Sequence, residues 1–387
     1  MKFMPEHTNE LEGSNIFSMK IRRSIFKSSC LCLLIAGAFL GCKIQVKHGL
    51  GDQPAGLSTR DTTMVMADIV TDTVPQDTDD PAIWLNPEDP AKSLIVGTDK
   101  DENGGLYVFG LDGKMIKEKT VAGLKRPNNV DIEYGLLLNG KPTDIAVVTE
   151  RFTHKLRIYT LPDMEPVDGG GIEVFAGETQ KEYRDLMGIS LYKNKSSKIY
   201  AIVGRKSGPT DGTYLWQYEL RDNGKGQVIA LLVRKFGKYS GHHQIEAIAT
   251  DDALGYVYYS DEGIGVRKYY ADPEKGNEEL ALFGTTGFVN DHEGISIYND
   301  SDSTGFILVS DQQAQSFHIF PREGTAKNIN NHPLLRVVKV SAKESDGSES
   351  IAVPLNDRFP KGLFVAMSSD KTFHFFKPEK ILGNLLK

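Results

Sequence analysis

The stretch LIVGTD at Leu94–Asp99 returns five times in altered form. The copies are IAVVTE at Ile145–Glu150, YAIVGR at Tyr200–Arg205, YVYYSD at Tyr256–Asp261, FILVSD at Phe306–Asp311 and LFVAMS at Leu363–Ser368. Their final residues are 51, 55, 56, 50 and 57 positions apart. A continuous apolar run of this length, rich in β-branched and aromatic residues, reads as a buried strand. Repetition at a near-constant period reads as a repeat architecture.

A second set of short runs precedes the first: Asp80–Trp84, Asn129–Glu133, Met187–Leu191, Glu246–Thr250, Glu293–Ile297 and Glu349–Val353. Turn-forming clusters join the two sets, as in Asn86-Pro87-Glu88-Asp89-Pro90 and Asn139-Gly140-Lys141-Pro142. A third set follows, from Leu106–Leu111 to Phe373–Phe376, and a weaker fourth strand is expected in each unit, as over Gln227–Phe236. The fold expected is all-β: a six-bladed β-propeller of four-stranded antiparallel blades over residues 68–387. A large β-sandwich has no reason to repeat six times, and the runs lack the 3.6-residue period of helical repeats. Trp84 and Trp216 fall on expected strands and read as core.

In such a blade the start of the innermost strand and the end of the second strand meet at one end of the disc. The starts here are Asp80, Asn129, Met187, Glu246, Glu293 and Glu349, and the ends are Asp99, Glu150, Arg205, Asp261, Asp311 and Ser368. Asp79, Asn128 and Asp291 lie just before the starts, and Lys100, Arg151, Lys206 and Glu262 just beyond the ends. One rim of the central channel is thus expected to carry a ring of carboxylates with a few Lys and Arg. Packed carboxylates repel one another and need cations. An oxygen-rich, sulfur-free ring suits a hard ion such as calcium. Clustered cations beside Lys and Arg would suit a multiply charged phosphate ester, attacked by water. His242-His243 lacks a third ligand nearby in sequence and reads as a solvated pair; Gly169-Gly170-Gly171 lacks the strand and helix of a phosphate loop.

The chain of 387 residues carries a formal charge of −7. Its first 41 residues hold five Lys/Arg and three Asp/Glu, which leaves −9 for the remainder. That balance argues against general nucleic-acid binding. The N-terminal residues 1–42 read as an export segment, with Lys20, Arg22, Arg23 and Lys27 ahead of an apolar run from Cys30 to Leu40. Phe39-Leu40-Gly41-Cys42 reads as a bacterial lipoprotein signal, with Cys42 as the lipidated residue and an ordinary cleaved signal as the alternative. Met19 reads as an alternative start. Residues 43–67 read as a polar tether. The protein is therefore expected on the cell envelope, touching membrane through a lipid anchor only, or secreted, and as a monomer. All three cysteines, Cys30, Cys32 and Cys42, lie in the leading segment, so core packing or bound metal must stabilise the exported domain.

Asp77-Thr78-Asp79-Asp80-Pro81-Ala82-Ile83-Trp84 resembles the signature opening of the β-propeller phytases, and Asn128-Asn129-Val130-Asp131-Ile132 resembles their second signature. The resemblance runs from about Asp68 to Phe376. It implies a six-bladed propeller with several calcium ions that releases phosphate from phytate. By position, Asp79, Asp80, Glu246, Asp261, Asp291 and Glu293 are implied as calcium ligands. Lys100, Arg151 and Arg205 are implied as phosphate contacts. The catalytic set implied is Asp79, Asp80, Lys100, Arg151, Glu246, Asp291 and Glu293. Met187 stands where the family commonly has a phosphate-contacting tyrosine. Ser348-Glu349-Ser350 is the nearest match to an acidic calcium segment of the last blade.

Overall fold

The computed structural model describes residues 59–386. The export-type segment 1–42, with Cys42, and the tether up to residue 58 lie outside the described residues. Among the described residues the six repeats form six sheets in chain order. The first blade is Thr78–Trp84, Leu94–Asp99, Gly104–Gly110 and Val121–Leu124. The second is Pro127–Leu138, Lys141–Glu150, Lys155–Leu161 and Ile172–Glu173, and the third Leu186–Lys193, Ile199–Arg205, Leu215–Asp222 and Val228–Phe236. The fourth is Ile248–Asp251, Tyr256–Asp261, Gly265–Tyr270 and Ala281–Phe283. The fifth is His292–Tyr298, Phe306–Asp311, Ser316–Pro321 and Arg336–Val340. The sixth takes Ser348–Ile351, Leu363–Ser368 and Thr372–Phe376 from the end of the chain.

The outer strand of the sixth blade comes from the beginning of the chain: Ile69–Val70 pairs antiparallel with Thr372–Phe376. Thr59–Val65 adds a parallel fifth strand to the outer edge of the fifth blade. Residues 59–67, expected to belong to a tether, thus include a strand of the propeller. Asp68 fastens the closure, accepting from Lys377 N at 3.0 Å and Lys380 Nζ at 2.7 Å.

Apolar residues from facing strands of neighbouring blades form a buried cluster at each joint. Trp84 packs with Tyr159 and Leu161 between the first two blades. Trp216 packs with Phe175 and Val147 between the second and third. The continuous apolar runs arise because second strands are covered on both faces; Ile95, Val96, Val147, Val148, Ile202 and Val203 are fully buried.

Two repeated devices shape the rim. The first is a β-bulge where the inner strand begins. Thr78 pairs with Asp99 and Pro81 with Gly97, so Asp79 and Asp80 oppose Thr98 alone. The same shift places Asn128-Asn129, Met187-Gly188 and Glu293-Gly294 opposite single residues. A bulge breaks the alternation of side chains and re-aims them. Its tight backbone explains Gly188, where a Cβ would lie 1.9 Å from the Glu246 carbonyl, and Gly347, where it would lie 2.5 Å from Asp80 Oδ1.

The second device is a clamp at the end of each second strand. Asp99 accepts from Gln76 N and Asp77 N at 3.0 and 2.9 Å. Glu150 accepts from Lys125 N, Asp261 from Ser240 N, Asp311 from Val289 N, and the Ser368 hydroxyl from Lys343 N. In the third blade Arg205 reverses the polarity and donates to the carbonyls of Tyr183, Thr213 and Tyr214. Each clamp holds the loop that enters its own blade's inner strand. Charge-assisted bonds of this kind contribute roughly 1.5–3 kcal/mol each. The repeated polar residue at these ends is therefore architectural.

Candidate active site

The loops and bulges of several blades converge on a cavity of about 550 Å³ at the rim. Its acids are Glu246, Glu262, Asp291, Glu293 and Asp346; its cations are Lys100, Arg126, Arg151 and Lys206. Asp79 joins it from below, accepting from Lys100 Nζ at 2.9 Å and Asn128 Nδ2 at 3.0 Å. Asn128 also donates to Glu246 at 2.9 Å, which links the first, second and fourth blades. Lys100 Nζ bridges Asp79 to Asp346 Oδ2, the latter at 2.5 Å. Gln312 donates to the other Asp346 oxygen.

Burial decides the electrostatics. It lifts Glu293 well above the usual carboxylate range, with Glu262 and Glu246 adding repulsion. Burial also pushes Glu262 up to about 9, reinforced by Glu246. Asp79 and Glu246 are raised by burial too, although Lys100 opposes the shift in both. Burial pulls Lys100 down, but Asp79, Asp346 and Glu246 outweigh it and hold the ammonium charged. Burial lowers the Arg151 guanidinium, and Glu246 partly offsets this.

The cluster fits a cation. Oxygens of Glu246, Glu262 and Glu293 lie within 4.8 Å of one another. Glu262 Oε1, Glu293 Oε2 and Asn128 Oδ1 are buried without a hydrogen-bond partner. An unpartnered buried carboxylate oxygen is costly unless a cation or proton meets it. A second group joins His243 Nδ1, Glu262 and Asp291 within the same limit. Both sets could hold a metal ion.

Of the residues expected from sequence, Lys100, Arg151, Glu246, Asp291 and Glu293 line the cavity and Asp79 supports it. Three others are directed elsewhere. Asp80 is turned by the bulge into the central channel, where it accepts from Val130 N at 3.1 Å. Asp261 is fully buried and bonded to Ser240 and Arg267, so its oxygens are committed to the clamp. Arg205 is 0 % exposed, and besides its three carbonyls it donates to Glu178 at 2.9 Å. Four of its five donors are thus committed to the protein and it does not line the cavity, whereas the next residue, Lys206, does. The cavity is also lined by Glu262, Asp346, Arg126 and His243, which lie outside the set implied by the resemblance. Asp346, followed by Gly347 just ahead of the last inner strand, lines the cavity, whereas Glu349 of Ser348-Glu349-Ser350 faces the central channel.

The fold and this rim define a class: a six-bladed propeller with a cation-seeking carboxylate cluster and a basic flank suited to phosphate. The phytase family model matches residues 42–374. Over 301 residues the chain is 30 % identical to the 3-phytase of Bacillus subtilis (strain 168), covering 76 % of this chain and 74 % of that protein. The chain belongs to the phytase family.

Proposed function

We propose that the protein is a calcium-dependent phosphomonoester hydrolase that releases phosphate from phytate by attack of water on phosphorus. The observation that carries this reading is the facing of Glu262 Oε1 and Glu293 Oε2, both buried and unpartnered, by four cations across one cavity. The all-oxygen donor set of Glu246, Glu262 and Glu293 favours calcium. Bound calcium would neutralise phosphoryl oxygens and make water more acidic.

The chain's own residues bind and orient the substrate. Arg151 Nε is fixed by the Leu186 carbonyl at 3.0 Å, which sets its planar fork at the cavity wall beside Met187. Lys100 supplies a point charge held in place by Asp79 and Asp346. Arg126 is steadied by its bond to the Lys100 carbonyl at 3.0 Å. Asp291 is oriented by Asn290 at 2.6 Å and Gln313 at 2.8 Å. In the reaction a water oxygen bonds to phosphorus, the ester P–O bond breaks, and the leaving alkoxide takes a proton. The products are inorganic phosphate and a lower inositol phosphate. Met187 offers phosphate no hydroxyl, so the grip rests on the cations.

The test is phosphate release from phytate by the purified protein with calcium, with chelator, and with calcium restored. Activity only in the first and third states is expected; release that survives chelation would overturn the calcium assignment. Turnover of glycerophosphate in preference to phytate would overturn the substrate.

Export and anchoring belong to the same reading. The basic cluster, apolar run and Gly41-Cys42 junction support lipidation of Cys42 and residence on the bacterial envelope. Cys42→Ser is expected to move the protein from the membrane fraction to the soluble one.

A further inference from the structure

The acidic cluster of the rim contains one imidazole, exposed to solvent on one side and bonded to an acid on the other. His243 Nδ1 is 2.9 Å from Asp291 Oδ1 and 4.0 Å from Glu262 Oε2. The remaining oxygens of these acids are disposed to keep that geometry. Asp291 Oδ2 is occupied by Asn290 and Gln313, leaving Oδ1 for His243. Glu262 is 3 % exposed, its Oε1 has no partner, and Gln244 N fixes its Oε2 at 3.3 Å. The backbone of His243 is pinned as well, since the Tyr239 hydroxyl donates to its carbonyl. Its side chain remains 47 % exposed at the mouth of the cavity.

We propose that His243, Glu262 and Asp291 form a second metal subsite that takes a borderline divalent cation of the zinc type in preference to calcium. Imidazole is a good ligand for zinc and its neighbours and a poor one for calcium, which prefers oxygen. The spacing agrees. Ligand atoms about 2.0–2.1 Å from a tetrahedral zinc lie roughly 3.3 Å apart, between the two separations measured from His243 Nδ1. Metal would bind Nδ1 of the neutral imidazole, with the ring proton on Nε2. Three protein ligands leave a fourth position open, the arrangement of a site that admits water or a substrate oxygen. Glu262 belongs to this group and to the all-carboxylate group with Glu246 and Glu293, so loading both would make it a bridging ligand. The rim would then offer two unlike positions, an inner one for a hard cation and an outer one for a softer cation.

The inference concerns the cavity of the proposed reaction but not the reaction itself, and its readout is cation binding. Full-length protein saturated with calcium is titrated with zinc by calorimetry, and bound metal is counted after desalting. Wild type is expected to retain one zinc per chain against excess calcium, and His243→Ala to bind it at least about 10-fold more weakly. Cobalt, used as a visible probe, is expected to give a ligand-field absorption band that His243→Ala loses. His243→Asp is expected to keep calcium binding and lose the cobalt band, which excludes general unfolding as the cause. Displacement of zinc by calcium in wild type, or equal zinc affinity in wild type and His243→Ala, would overturn the subsite. Zinc retention in a protein that releases no phosphate from phytate would leave the subsite standing and remove the proposed function.

Discussion

The rim cavity and the central channel are both lined by acids, and in the bulges they are one residue apart. Asp79 and Asn128 serve the cavity, whereas their neighbours Asp80 and Asn129 face the channel. The channel space, about 250 Å³, collects Asp80, Asp131, Glu133, Asp252 and Glu349 with no Lys or Arg among its lining residues. Burial raises these acids, Asp131 and Asp252 to about 6, Glu349 to about 8 and Glu133 to about 9. The cavity meets the same repulsion with Lys100, Arg126, Arg151 and Lys206. Acid alone therefore does not distinguish the two regions; the basic flank does.

Paired substitutions in the two regions would break this distinction if it were false. Glu293→Gln removes an unpartnered carboxylate oxygen of the cavity and is expected to lower kcat/KM for phytate on the order of 10²–10³-fold. Glu349→Gln, in the channel, is expected to leave kcat/KM within about threefold, because the residue touches no group of the cavity wall. Equal losses in steady-state phosphate release would erase the contrast.

The next largest effect is expected at Lys100. Lys100→Ala leaves Asp79 and Asp346 facing each other without their counter-charge. Breaking a buried pair in this way costs about 3 kcal/mol, readable by denaturant titration of the chelated protein. Added calcium should recover part of that loss, since a cation can replace the ammonium.

Arg205→Lys sharpens the separation of architecture from chemistry. A lysine cannot reproduce the fork that binds three carbonyls and Glu178, and the loss is expected to be about 2 kcal/mol. KM for phytate should stay within about twofold, as no donor of Arg205 faces the cavity. A selective rise in KM would return Arg205 to the substrate.

The smallest effect, a few degrees in melting temperature, is expected from pH. The channel acids and Glu262 have folded-state values above their ordinary 3.8 or 4.5, so the folded chain holds more protons than the unfolded one. Their contribution to stability is greatest below about pH 4 and declines as pH climbs towards 9. Melting of the chelated protein is expected to fall between pH 5 and pH 9. A melting temperature that rises over that interval would contradict the raised values.

The strands were legible because burial on both faces leaves an uninterrupted apolar run, as at Ile145–Glu150, and six such runs define the blades. The charged rim was legible as a ring but not as a site. A bulge has no composition of its own, so nothing in Asp79-Asp80 says that one acid turns to the cavity and the other to the channel. Arg205 could not be placed from sequence, because charge at a strand end looks the same whether it meets a phosphate or three carbonyls. Asp346 was hidden because it lies two residues ahead of the last inner strand and not at its start, although the Asp346-Gly347 sequence was visible. Ring closure was not readable at all: Ile69 pairs with Phe375, and no local pattern reports a contact at that separation.

That closure also has a mechanical meaning. The chain enters through Thr59–Val65, laid parallel to Arg336–Val340, before it reaches the sixth blade. Force drawn along the N-terminal segment would load the bonds of this ladder together, in shear, instead of peeling them one by one. The short pairing of Ile69–Val70, which completes the ring, lies behind that strand and is shielded from the pull. A pull on Thr59 would thus meet the edge of the fifth blade before it reached the ring closure.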